Sequence, residues 1–177
     1  MENETVSGPQ SPLESQDRPI RSGLVLPEGI EAGLVAATVV VAALWIRDAS
    51  IGEPLHTPSV LGALVFQGLE AARIVRSDPG LAAAYNVVHY GLWIIGGFAA
   101  SRLMGAVAKG AAAWWLPGLA LGLVILAYVG LDALVVETAL TRPRFWIGGV
   151  AGATALAAFL AWRHPDAIDR MRHFGRP

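Results

Sequence analysis

The sequence predicts an all-α integral membrane protein, a four-helix bundle with one additional short re-entrant or interfacial helix. Hydrophobic residues make up 54% of the 177-residue chain against 15% charged, giving a mean hydropathy of +0.51. The charges crowd into the termini and a few short loops. The long segments between them are apolar all round, whereas a helix on a soluble core keeps a polar face at helical period.

Composition also removes several function classes. With a net charge of -1 there is no global basic surface for nucleic acid. The chain has no Cys, so disulfides, thiolate metal sites, iron–sulfur clusters and cysteine nucleophiles are absent together. No glycine-rich phosphate loop, HExxH helix or Ser/His/Asp constellation appears, which argues against a hydrolase.

Residues 1–27, rich in Pro, Ser, Glu and Gln, read as a disordered tail with too little apolar surface to order itself. Glu2 and Glu4 precede any apolar run, so no secretory signal is expected and the first span serves as its own insertion signal. The helical membrane domain then covers 28–163. Its first span, about 29–46, approaches the roughly 20 residues that cross a bilayer, and Arg47 and Asp48 are expected to end it. Gly29, Gly33 and Ala37 lie at small-xxx-small spacing for close helix contact, and Trp45 sits where an interfacial aromatic anchors an end.

Residues 58–75 are expected to form the short helix, with Thr57 as N-cap and Pro58 as its first residue. The apolar run Val60 to Phe66 is too short to span, and Gln67, Glu70 and Arg73, three apart, make one polar stripe facing protein or headgroups, with Glu70 and Arg73 placed to pair across one turn. The next span, 81–101, places Tyr85, His89 and Trp93 on one face with Asn86 and Tyr90 beside it, followed by Gly91, Gly96 and Gly97. The third span, 116–136, carries Tyr128 and Asp132 on one face and Glu137 near its end. The last, 145–162, is bracketed by Trp146 and Trp162 and offers Gly148 and Gly152 with Gly149 and Ala153 beside them. Residues 164–177 form a basic tail, read as a short amphipathic or frayed helix at the membrane surface.

Four crossings put both termini on one side. That side holds Arg18, Arg21, Arg102, Lys109, Arg163, Arg170, Arg172 and Arg176, against Arg47, Arg73, Arg76, Arg142 and Arg144 opposite, so the termini are expected in the cytoplasm. A full crossing by 58–75 would nearly erase this bias.

Intramembrane polar residues mark the candidate sites. His89 leads, read first as an interhelical hydrogen-bond centre in a cluster of Asn86, His89, Tyr128 and Asp132. As a cofactor site, His89 would ligate while Tyr90, Trp93 and Tyr85 line a haem or quinone. A haem held by two His normally needs a second intramembrane His, and His56, His164 and His173 fall in loops or the tail. A single axial ligand, or an interface-level site using His56, is what remains. His56, Gln67 and Glu70 form a candidate re-entrant site.

Gly52, Pro54, Leu55, Thr57, Pro58, Leu61 and Gly62 read as G-x-P-L-x-T-P-x-x-L-G. With Tyr85 and His89, Glu137 and the His164-Pro165 pair, this resembles a group of small bacterial membrane proteins with no characterised activity, over Gly33 to Pro165. The resemblance implies a shared four-helix fold and offers no catalytic residues to carry over; a bacterial inner membrane is the expected location. The leading functional expectation is a non-catalytic accessory or assembly subunit whose small-residue faces pack against other membrane subunits or a second copy. A redox protein using His89 is the alternative, and a small proton-coupled carrier using Glu70, His89 and Asp132 the third.

Overall fold

The computed structural model describes residues 25–109 and 145–173, with helical positions 118, 121, 122, 124–127, 129 and 130 between them. Six helices are delimited among the described residues: α1 (Val25–Ser50), α2 (His56–Phe66), α3 (Leu69–Ile74), α4 (Pro79–Ala108), α5 (Phe145–Arg163) and α6 (Pro165–His173). Three of them, α1, α4 and α5, are long and apolar enough to cross a membrane. The expected third span, 116–136, with Tyr128, Asp132 and Glu137, lies largely outside the described residues, as do the tail before residue 25 and the last four positions.

The bundle is organised on α1. Gly29, Ala32, Gly33, Ala36, Ala37, Val40 and Leu44 are buried along one helical face, while Ile30, Leu34, Val35, Val39 and Ile46 point outward. Small residues inside and large aliphatic ones outside is what a lipid surround permits. Lipid solvates the large side chains, and association then depends on close backbone approach. Two helices exploit that face. On α4, Gly97 meets Gly29 and Gly33, while Gly33 lies against the Trp93 and Ile94 backbone. On α5, Gly148 lies against Val40 and Leu44, and Gly152 receives the Trp93 ring. Gly91 and Gly96, also expected in close contact, have nothing within 4 Å of a methyl group placed there.

These contacts fix directions. Rising numbers on α1 meet falling numbers on both α4 and α5, so each runs antiparallel to α1. The start of α1 therefore shares one end of the bundle with the ends of α4 and α5. There Glu31 pairs with Arg163 at 2.9 Å and Glu28 with His164 at 2.6 Å. Glu28 lies in the first turn of α1 and Arg163 in the last turn of α5, positions at which the two helix dipoles favour an acid and a base. α6 folds back on α4, with Ala167 fully buried, in keeping with the amphipathic tail helix expected.

At the other end, two expectations change. α1 does not stop at Arg47 and Asp48 but continues to Ser50, because Asp48 is drawn into the interior rather than left to solvent. The single helix over 58–75 is two helices, broken where Gly68 takes φ +94°, a left-handed conformation suited to Gly. The Gln67 and Gly68 amides both close on the Ala63 carbonyl, at 2.8 and 2.9 Å. Gln67 is thus in the break, and the three-residue polar stripe does not form. What survives of it is the exposed Glu70–Arg73 pair at 3.0 Å. α2 begins beside the end of α1 and α3 leads into the start of α4, so residues 51–78 leave and rejoin the bundle at one end. The 11 residues of α2 reach about 16 Å, short of the roughly 30 Å hydrocarbon core.

Candidate functional site

The polar centre of that end is Asp48, which is 0% exposed. Its Oδ2 accepts the Thr57 amide at 2.6 Å, and its Oδ1 accepts the Thr57 hydroxyl at 2.7 Å and Arg47 Nη1 at 2.8 Å. A carboxylate taken out of water is tolerated when it is paired and fully hydrogen-bonded. Thr57 was expected to cap its own helix. Instead α2 starts two residues earlier, at His56 after Leu55, and Asp48 of α1 satisfies an unpaired first-turn amide of α2 from outside, where the helix N-terminus also favours negative charge. Ser59 makes a second tie. Its Oγ accepts the Asp78 amide at 2.8 Å and donates to the Leu55 carbonyl at 2.6 Å. Asp78 in turn caps α4, its Oδ1 accepting from Gly80 and Leu81 at 2.8 and 3.0 Å, with Pro79 at the first helical position.

These ties hold the 54–58 segment over a cavity of about 40 Å³. Val41, Leu44 and Trp45 of α1 form one wall, Tyr85, Asn86 and His89 of α4 another, and Pro54, Leu55 and Pro58 the roof. His89 is 2% exposed. Its Nδ1 is hydrogen-bonded with the Tyr85 hydroxyl at 3.2 Å, and the ring also lies against the backbone of Ala37. His89 is therefore hydrogen-bonded along α4 and packed against α1, on the wall of a small apolar cavity.

The structure sorts the sequence candidates. Tyr85, Asn86 and His89 line the cavity, whereas Trp93 and Tyr90 do not. Trp93 stacks edge-on at 6.3 Å from His89 but spends its ring on the Gly152 notch of α5. Tyr90, edge-on at 6.0 Å, places its hydroxyl 3.2 Å from that of Thr38. Tyr128 and Asp132, the other half of the proposed cluster, lie outside the described residues. His56, Gln67 and Glu70 are not brought together. His56 is buried at the start of α2 and pairs with Glu53 at 3.1 Å, Gln67 follows its end, and Glu70 is exposed on α3. No group of three or more His or acidic side chains able to hold a metal ion forms among the described residues.

The sequence reading passed over Asp48, Ser59 and Asp78, and left His164 in the tail. A signal existed for Asp48. Val40, Leu44 and Asp48 continue the buried face of α1 at four-residue steps, so the face extends through the charge. No family model, curated protein or solved structure matches the chain.

Proposed function

We propose that the chain is a four-span integral membrane protein of the bacterial inner membrane, with both termini cytoplasmic, acting as a non-catalytic accessory or assembly subunit. The observation that carries this reading is how its intramembrane polar groups are used. Tyr85 with His89, Thr38 with Tyr90, and Asp48 with Thr57 are all engaged between or along helices, while the outward surface of α1 and α4 is aliphatic. Chemistry of this kind holds helices together.

Topology supports the fourth crossing. α4 ends at the end of the bundle where α1 starts, and α5 starts at the other, the placement that a crossing between them would join. The apolar side chains Val65, Phe66 and Ile74, each more than half exposed, suit a re-entrant or interface-lying 51–78 segment in contact with lipid. The small-residue faces of α1 and α5 are spent inside the chain. A partner subunit or second copy therefore has the outer face of α4, where Gly91 is open and Val87, Leu92 and Ile95 are exposed.

The cofactor reading loses ground on size. A cavity of about 40 Å³ beside Tyr85, Asn86 and His89 is small against the roughly 300–1,000 Å³ of sites that enclose drug-sized ligands, which favours the accessory reading over the cofactor one.

The test is gentle solubilisation of native membranes with cross-linking and mass determination. A defined complex containing a second copy or another membrane subunit is expected, and a monomer that captures neither would refute the accessory role. Reporter fusions after residues 109 and 144 are expected to report opposite sides of the membrane. The same side for both would remove the fourth crossing.

A further inference from the structure

One polar pair of the bundle faces lipid rather than protein. Thr38 stands at the midpoint of the Pro27–Ser50 span and is exposed. Its Oγ1 lies 3.2 Å from the hydroxyl of the half-buried Tyr90 on α4. Each hydroxyl carries one proton, and the bond between them uses one of the two. The usual outlet for the other is the carbonyl four residues back, as Ser59 uses that of Leu55. Thr38 makes no such bond to Leu34, and the contact with Tyr90 is its only hydrogen bond among the described residues. Lipid tails accept no hydrogen bond and the ester carbonyls lie at the headgroup level, so among the described residues the second proton has no acceptor at this depth.

We propose that a second copy of the chain supplies that acceptor, docking on the α1–α4 edge about a two-fold axis along the membrane normal beside Thr38 and Tyr90. A hydroxyl pair with a surplus proton also has open lone pairs, so two such pairs complete each other. The four hydroxyls close a ring in which each donates once and accepts once. The two-fold operation brings identical groups together at one depth, whereas a different subunit would need an acceptor of its own there. The surrounding surface suits a helix contact. Leu34 and Ala42, four residues either side of Thr38, are exposed on the same stripe of α1, and Val87 is exposed one turn before Tyr90 on α4. This inference rests on the accessory reading and names the second copy as its partner.

Because the chain has no Cys, disulfide trapping tests this directly. In native membranes oxidised with copper phenanthroline, the full chain carrying Thr38→Cys is expected to form a covalent dimer. Thr154→Cys, exposed at the middle of α5, is expected to stay monomeric. Energy transfer between donor- and acceptor-labelled full chains in liposomes, diluted with lipid, then reads the dimer constant. Tyr90→Phe and Thr38→Val each remove one hydroxyl from both copies and are expected to weaken the dimer about tenfold, while Thr38→Ser keeps the hydroxyl and the affinity. No dimer trapped through position 38, equal trapping through position 154, or a dimer constant indifferent to both Tyr90→Phe and Thr38→Val overturns the proposal. If another membrane subunit is cross-linked in the same membranes instead, the accessory reading stands without the dimer, and if no partner of either kind appears, both fall.

Discussion

The two ends of α1 are held by different physics. Toward its start, from Gly29 to Ala37, the contact is backbone on backbone: Gly97 against Gly29 and Gly33, with no side chain between. Toward its finish, from Val41 to Asp48, α1 and α4 leave room for a cavity roofed by the 54–58 segment, and a buried carboxylate with three donors holds the neighbouring helix in place. Lipid supplies no hydrophobic drive between helices, so a membrane bundle relies on fit and on polar ties. The glycine seam is fit alone and leaves no space. The Asp48 junction uses directional bonds, which tolerate a gap beside them.

The sharpest test of this contrast is Gly33→Ala. Its new methyl would stand 2.5 Å from the Ile94 Cα and closer still to the Trp93 carbonyl oxygen. Backbone cannot yield there as a side-chain tip can, so a loss of about 3 kcal/mol or more is expected, read as a lowered unfolding midpoint in detergent. A near-wild-type midpoint would mean the seam is looser than described.

Asp48→Ala comes next, at roughly 3 kcal/mol, because it leaves Arg47 and two Thr57 donors without their acceptor. The damage should be local. Hydrogen exchange is expected to rise through 51–66 while the α1–α4 seam stays protected, and a uniform rise would break the distinction between the two ends. Thr57→Val removes the hydroxyl's bond to Asp48 and its longer one from Arg47 but keeps the amide bond to Asp48, and should cost about 1 kcal/mol, with the same local exchange signature. Smallest is Gly91→Ala, exposed on the outer face of α4 with nothing within 4 Å. It should leave stability unchanged or raise it by up to about 1 kcal/mol through helix propensity. A clear loss in native membranes but not in purified protein would place a partner helix there.

The all-helical architecture and the positions of α1, α4 and α5, three helices long and apolar enough to cross a membrane, were legible in the sequence. Long uninterrupted apolar runs have few other solutions when every backbone group must be satisfied internally. Glycine spacing likewise pointed to α1 and α5 as close-packing helices. Only the tertiary structure decided which glycines are used. Gly97 is enclosed and Gly91 is open, because the side of a helix that meets a neighbour depends on crossing geometry, which composition does not encode. It also decided that Trp93 packs against Gly152 while Tyr85 and Asn86 line the cavity, and that Asp48 belongs to the interior. A charge at the end of an apolar run reads as a boundary when taken alone. Its partner, Thr57, lies nine residues on, and the turn through Gly52, at φ +83°, is what brings the two together.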